Sequence, residues 1–149
     1  MKKYPEAKAL VADFGREWPV ESNSICIGFD RISLTCVRLD VIKFALSELF
    51  RVLKPGGIFG WIVSDTSDFI RLGDLEDDGW VEQSRNKDIQ NRSQFRGYTF
   101  LSYKDVIDLT SKFSILNLSL KTEEFFIQDA TRRKRAYWIV DLIKANYDD

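Results

Sequence analysis

The sequence predicts an α/β protein with a mostly parallel sheet that ends in an antiparallel β-hairpin. Residues 39–53 carry apolar side chains on one helical face, and a wholly apolar run at 58–63 follows the tetrapeptide Lys-Pro-Gly-Gly at 54–57. A helix leading through a tight turn into a fully apolar strand is typical of a parallel βαβ unit. Residues 114–126 and 135–145 have strand composition and are joined by a short loop, which favours the hairpin.

The bulk composition indicates one globular domain covering residues 1–149. The chain has 44% hydrophobic and 30% charged residues, and its formal net charge is −1. A nearly neutral chain gives no electrostatic reason to expect a nucleic-acid partner, so the basic run at 132–135 is interpreted as a solvated loop. We find neither an apolar stretch long enough to cross a membrane nor a secretion signal, so a cytoplasmic protein without a membrane partner is expected.

The chain contains no histidine and two cysteines, Cys26 and Cys36. The absence of histidine excludes Ser–His and Cys–His nucleophile pairs and the common histidine-based zinc sites, so no metal site is expected. Both cysteines lie among apolar residues, and we expect them to be buried free thiols.

The remaining elements are predicted from local patterns. Residues 7–12 are expected to form a short apolar strand ending at Asp13, and a buried strand is expected within 25–37, from about Asp30 onward. Asp40 is placed to cap the helix at 39–53. The tetrapeptide at 54–57 ends this helix, because proline prevents its continuation and glycine tolerates positive φ in a tight reversal.

The segment 64–100 is polar and too long for an ordinary connection, so it is interpreted as an insert or lid with its own helix. After it, Ser102 and Asp105 have the spacing of a capping box and predict a short helix.

These features, taken in order, resemble the second half of a class I S-adenosylmethionine-dependent methyltransferase of the small-molecule, type 11 kind. The resemblance is carried by the apolar run ending at Asp13, Phe-Asp-Arg-Ile at 29–32, ALSELFRVLKPGG at 45–57, and YTFLSYKDVIDLTSKF at 98–113 before the hairpin. It implies an incomplete Rossmann-like methyltransferase fold, with S-adenosylmethionine as the cofactor of the family. The family sheet has the strand order 3-2-1-4-5-7-6, with strand seven antiparallel.

The resemblance also implies a set of site residues. Asp13 and Phe14 match the family positions beside the adenine, and Ser33 and Leu34 lie where its fourth strand approaches the cofactor. A carboxylate suits the adenine position because it accepts hydrogen bonds from an exocyclic amine. The structural alternative is that Asp13 caps the turn after a strand, and that Ser33 is an ordinary strand residue.

Trp80, Arg96 and Tyr98 fall in the region that covers the substrate in the family. Aromatic and arginine side chains there suit a planar or anionic ligand. The alternative interpretation is a solvated surface insert. No catalytic residue is assigned from the sequence.

The family's glycine-rich cofactor loop and the acidic residue after its second strand have no counterpart in this sequence. Without the strands that carry them, the family's fourth strand is left with an apolar, unpaired edge, which proteins usually cover. The predicted first strand could move in beside this edge, two copies could pair edge to edge, or a second chain could supply the missing half, and we expect self-association. The chain is then expected to be either a methyltransferase-like protein completed in this way or a non-catalytic interaction module with the same fold. An isolated chain is expected to be inactive.

Overall fold

The computed structural model describes residues 8–68, 76–82, 97–126 and 132–145. Within these ranges the chain forms six strands, two α-helices and a short 3-10 helix. In chain order they are β1 (Ile25–Arg31), the 3-10 helix (Leu34–Cys36), α1 (Leu39–Val52), β2 (Leu53–Ser64), β3 (Trp80–Glu82), β4 (Gly97–Thr99), α2 (Tyr103–Leu109), β5 (Ser114–Phe126) and β6 (Arg132–Ile143).

The main sheet has four strands in the order β1-β2-β6-β5. β1 and β2 are parallel, whereas β6 runs antiparallel to both β2 and β5. The predicted α/β class, the βαβ unit and the carboxyl-terminal hairpin are therefore confirmed. The basic run at 132–135, predicted to be a loop, instead forms the first residues of β6 and pairs with the end of β5. β3 and β4 form a separate two-stranded antiparallel sheet.

Helix α1 confirms the predicted amphipathic helix and packs its apolar face on the sheet. Ile42, Ala45, Leu46 and Leu49 on this face are buried. The expected cap was wrong, because Arg38 occupies the N-cap position without a side-chain cap bond. Asp40 lies in the first turn, where its negative charge still favours the helix dipole.

The tetrapeptide at 54–57 was predicted to form a turn before the strand, but it lies within β2, which follows α1 directly. Gly56 adopts a φ of 74°, in the left-handed region that favours glycine. In the β1–β2 ladder Ile25 lies opposite Leu53 while Ile27 lies opposite Ile58, so the tetrapeptide is looped out of the pairing. A second strand thus begins directly beyond the helix.

The hydrophobic core lies between one face of the sheet and the two α-helices. β2 and β6 direct alternate residues into it, among them Trp61, Val63, Val140 and Leu142, which are fully buried. The opposite face, which we call the open face, carries the intervening residues. Helix α2 closes one end of the core and begins with the predicted capping box between Ser102 and Asp105.

The prediction of a strand at 7–12 was wrong for the described residues 8–12, which have no regular structure. Leu10 is 63% exposed and Val11 is fully exposed. Strand propensity is realised only where a neighbouring strand and a buried surface are available, and this segment has neither among the described residues.

The predicted position of the next strand was also wrong. The strand runs from Ile25 to Arg31 and not from about Asp30 onward, and Ile32 ends it with a φ of 68°. It is an edge strand of the sheet. Asp30 is buried, whereas its two neighbours, Phe29 and Arg31, are exposed. Cys26 is correspondingly exposed, contrary to the expected burial, whereas Cys36 is half-buried; both are free thiols.

The described parts of the segment 64–100 pack on the body of the protein. Trp80 and Phe100 are buried, and the hydroxyl of Thr99 in β4 donates to the carbonyl of Val37 at 2.6 Å. The rest of this segment, including its expected helix, lies outside the described residues. Neither α1 nor α2 is long and apolar enough to span a bilayer.

Candidate functional site

The carboxyl end of β1 is organised around the side chain of Asp30. Its carboxylate accepts a hydrogen bond from the hydroxyl of Ser33 and another, at 3.3 Å, from the backbone N–H of Leu34. These bonds hold the turn that leads into the 3-10 helix. Burial raises the pKa of Asp30, and the backbone N–H groups of Leu34 and Ser33 partly oppose this shift.

A groove of about 330 Å³ runs along β1 on the side of the sheet that faces α1. Apolar side chains form most of its wall, and Asp30 and Ser33 contribute the polar groups. Three of the four predicted cofactor residues, Phe14, Ser33 and Leu34, line it together. The structure therefore brings these three residues into one groove.

Asp13, the fourth predicted cofactor residue, lies in a local turn. Its carboxylate accepts a hydrogen bond from the backbone N–H of Gly15 at 2.8 Å and lies 3.7 Å from the guanidinium of Arg16. The side chain is 64% exposed. This geometry matches the turn-capping alternative considered from the sequence. Phe14, the next residue, lines the groove, whereas Asp13 does not.

Two of the predicted substrate residues, Trp80 and Tyr98, lie on the two paired strands of the small sheet. Trp80 is buried in β3, and the guanidinium carbon of Arg38 lies 4.9 Å from its ring centroid. Arg38 is held in place by Glu76 and Asp78 at 3.1 and 3.3 Å. Through Arg38, Trp80 therefore anchors the small sheet to the body of the protein. These contacts stabilise the fold.

Tyr98 lies in β4, directly opposite Val81 of β3. Its ring is partly buried, and burial raises the pKa of its phenol, with a smaller contribution from the nearby Cys36. Tyr98 thus remains a neutral hydroxyl group at physiological pH. Arg96 lies outside the described residues.

Three polar groups near the carboxyl end of β2 belong to no motif that the sequence analysis could identify. The Ser64 hydroxyl, at the end of β2, is buried and has no hydrogen-bond partner within the described part of the chain. Its backbone N–H donates to the hydroxyl of Thr35 at 3.3 Å. Asp68 is buried and accepts from Arg135 at 2.9 Å, which ties the segment after β2 to β6.

Lys144 is a further polar residue that the sequence did not single out. It is buried, and its ammonium donates to Asn23 Oδ1 and to the carbonyls of Phe50 and Leu53 at 2.7–2.8 Å. A cation at the carboxyl end of α1 also favours the helix dipole. Because these partners are far away in sequence, no local pattern could have identified this role.

The described residues contain no cluster of acidic, cysteine or histidine side chains with the geometry of a metal site. They fit S-adenosylmethionine on one side only. Phe14, Leu34 and Ser33 offer an aromatic ring, an apolar contact and a hydroxyl group along one wall of the groove. No described strand closes the other side of the groove, at the edge of β1, and the sequence contains no G-x-G pattern that could serve as a phosphate or cofactor loop.

No protein-family model and no characterised protein sequence matches this chain. Solved structures do match it. A SAM-dependent methyltransferase from Methanosarcina mazei superimposes with a TM-score of 0.65 over 91% of this chain and 66% of its own, at 16% identity. A SAM-dependent methyltransferase from Thermotoga maritima gives a TM-score of 0.53 over 91% and 63% of the two chains, at 15% identity.

A third structure is the Burkholderia thailandensis 1,6-didemethyltoxoflavin-N1-methyltransferase, solved with 1,6-didemethyltoxoflavin and S-adenosylhomocysteine bound. It gives a TM-score of 0.53 over 85% of this chain and 46% of its own, at 13% identity. The chain thus spans between 46 and 66% of the length of these three proteins. At these identities the match shows the fold, which is that of class I S-adenosylmethionine-dependent methyltransferases.

Proposed function

We propose that this chain forms the carboxyl-terminal half of an S-adenosylmethionine-dependent methyltransferase whose cofactor site is completed by another polypeptide segment. The observation that carries the proposal is the free edge of β1. This strand pairs with β2 on one side, and no described strand pairs with it on the other. Two of its exposed side chains are nevertheless large and apolar: Ile27 is 74% and Phe29 is 68% exposed.

The sheet order supports this assignment. Under the resemblance, β1, β2, β6 and β5 correspond to strands four, five, seven and six, and their observed order reproduces the 4-5-7-6 half of the family sheet. The missing neighbour of β1 is then the strand that carries the glycine-rich loop. An unpaired strand with exposed apolar side chains suits a polypeptide segment, because such a segment supplies both backbone partners and apolar side chains.

The groove residues would hold the adenosine side of the cofactor. Phe14 would contact the adenine ring, and Leu34 would contribute apolar surface. The Ser33 hydroxyl donates to Asp30, which leaves its lone pairs free to accept a hydrogen bond from the ligand. The bound cofactor supplies an activated methyl group, so the part played by the protein is mainly orientation and exclusion of water.

Tyr98 is the most suitable of the substrate-region residues to meet a methyl acceptor. Its hydroxyl stays protonated at neutral pH and can donate a hydrogen bond, while its ring remains partly exposed. Trp80 would act indirectly, by holding the small sheet through its contact with Arg38.

A nuclear magnetic resonance titration with S-adenosylhomocysteine tests this proposal. We expect amide shifts at Phe14, Ser33 and Leu34 and a dissociation constant on the order of 1 mM, because only half of the pocket is present. Phe14→Ala should weaken binding severalfold, because Phe14 lines the groove. Asp108→Ala, which removes an exposed carboxylate from α2, is the control and should leave binding unchanged.

The proposal fails if about 5 mM ligand shifts none of these amides in a folded chain. That result would favour the second candidate, a non-catalytic interaction module. The apolar residues Ile27 and Phe29 at an unpaired strand edge favour this alternative, since they provide a protein-binding surface without any ligand.

A further inference from the structure

We propose that the isolated chain forms a symmetric dimer in which β1 pairs antiparallel with β1 of a second copy. The two-fold axis passes between the two Gly28 residues. The inference concerns assembly and does not depend on the proposed function. It would, however, place a second copy on the edge that the completing segment requires.

No strand in the described part of the chain pairs with the backbone of β1 along its outer edge. Ile32 donates its N–H to the carbonyl of Ile62 in β2, at 2.9 Å, and the N–H of Ser24 donates to Val52 in the same way. Because successive residues of a strand direct their backbone groups to opposite sides, Ile27, Phe29 and Arg31 direct theirs outward. Such a row is a template for another strand.

The side chains of β1 do not protect this edge. No charged residue lies between Ile25 and Phe29, and two of the three outward positions, Ile27 and Phe29, are apolar and exposed. The third, Arg31, is the last residue of the strand. The edge strand at the other end of the sheet differs. There, β5 carries Lys121, Glu123 and Glu124, and charges of this kind are how proteins block edge pairing. We therefore assign the interface to β1.

The length and charges of β1 select one register. Gly28 is the midpoint of Ile25–Arg31, so pairing Gly28 with Gly28 is the arrangement that matches all seven residues. It sets Asp30 opposite Cys26 and Arg31 opposite Ile25, with no like charges facing each other. Registers centred on Asp30 or Arg31 would oppose two carboxylates or two guanidinium groups, which is destabilising.

The same register matches the side chains across the axis. Ile27 of each copy lies opposite Phe29 of the other, on the open face of a continuous sheet with four strands from each copy. Gly28 forms a pair without backbone hydrogen bonds, in which Cα atoms approach to about 4.5 Å. Glycine suits this close approach. A dimer with a two-fold axis normal to the sheet therefore brings its exposed apolar residues into contact with each other across the axis.

The contact is small, which sets the expected affinity. A strand of seven residues spans about 23 Å, so the interface belongs to the low end of the size range for protein complexes. We expect a reversible dimer with a dissociation constant on the order of 10 μM.

Sedimentation equilibrium of the full chain at increasing concentration tests the proposal. Wild type should change from monomer to dimer. Phe29→Lys should weaken the dimer at least tenfold, because each substitution occurs twice across the axis. The matched control is Phe126→Lys in β5: Phe126 is 72% exposed, so the same change on the other edge strand should leave the dimer intact.

A charge-pair rescue tests the register. In the proposed arrangement residue 27 faces residue 29 of the other copy, so Ile27→Glu alone should also dissociate the dimer. The double variant Ile27→Glu/Phe29→Lys should restore it, since two Glu–Lys pairs then form across the axis. A register centred on Ile27 would instead oppose two glutamates and give no rescue. Circular dichroism confirms that each variant is folded.

The proposal is overturned if wild type stays monomeric up to a few hundred micromolar. It is also overturned if Phe126→Lys dissociates the dimer as strongly as Phe29→Lys does, because the interface would then lie elsewhere. Failure of the folded double variant to dimerise excludes the Gly28-centred pairing.

Discussion

Asp30 combines burial, a perturbed pKa and a structural role at the carboxyl end of β1. Its pKa is raised above the ordinary value of 3.8, mainly by burial. The folded state therefore holds the proton more tightly than the unfolded state does. Between 3.8 and the raised value, the free energy of unfolding falls as the pH rises, because ionisation of the buried carboxyl is less costly in the unfolded chain.

Asp30→Asn should remove this pH dependence. Relative to the variant, wild type should become less stable as the pH rises above 3.8 through the raised pKa of Asp30. Urea unfolding of both proteins across this range measures the difference. Asp108→Asn, at an exposed position, is the control and should not reproduce the trend. Parallel stability curves for wild type and Asp30→Asn would show that the carboxyl is not perturbed.

Single-residue roles were predictable only where partners are close in sequence. Ser102 and Asp105 are three residues apart, and their capping box was identified. Asp68 and Lys144 were missed, since their principal partners lie on other strands or turns, such as Asn23 for Lys144. Asp13 was assigned through resemblance alone, and its exposed turn geometry gives it no contact with the opposite wall of the groove.

At the scale of elements, the βαβ unit depends on residues 54–57, which connect the end of α1 to the paired part of β2. Gly56 has a positive φ, and a Cβ on Gly57 would lie 2.8 Å from the backbone oxygen of Lys54 and 3.2 Å from that of Ile25. These two glycines are therefore required for different reasons. Gly56 needs a conformation that other residues rarely adopt, and Gly57 needs space between β1 and the end of the helix.

Gly56→Ala should lower the free energy of unfolding by about 1 kcal/mol, the cost of a left-handed non-glycine residue. Gly57→Ala should cost more, because backbone atoms cannot move aside. Thermal unfolding measures both, at about 2–4 °C per kcal/mol. Gly15→Ala is the control, since its added Cβ would have its nearest contact at 3.5 Å. Equal stability of Gly57→Ala and Gly15→Ala would contradict this account.

The helix and strands of the βαβ unit and the hairpin could be predicted from their hydrophobic periodicity. The prediction holds because each strand has a neighbouring strand of the same chain to pair with. The predicted strand at 7–12 failed for the opposite reason: its described residues have apolar character but no neighbour to pair with. The strand at 25–31 was placed too late because the turn held by Asp30 and Ser33 depends on side-chain hydrogen bonds that composition does not reveal.

At the scale of the whole molecule, the free edge of β1 is the basis of both proposals. Along that edge lie the apolar groove, three predicted cofactor residues and two exposed apolar side chains. A completing segment and a second copy would compete for the same backbone groups. The fold alone does not choose between catalysis and protein binding, which is why ligand titration and mass measurement are separate tests.

Amide hydrogen exchange tests the free edge most directly, at a concentration where the chain is monomeric. The N–H groups of Ile27 and Phe29 face outward, so they should exchange at least roughly a hundredfold faster than those of Gly28 and Asp30, which face β2. The N–H of Val140, in the internal strand β6, provides the protected reference. Equal protection of all four β1 amides would mean that another part of the chain covers this edge, and both proposals would then be wrong.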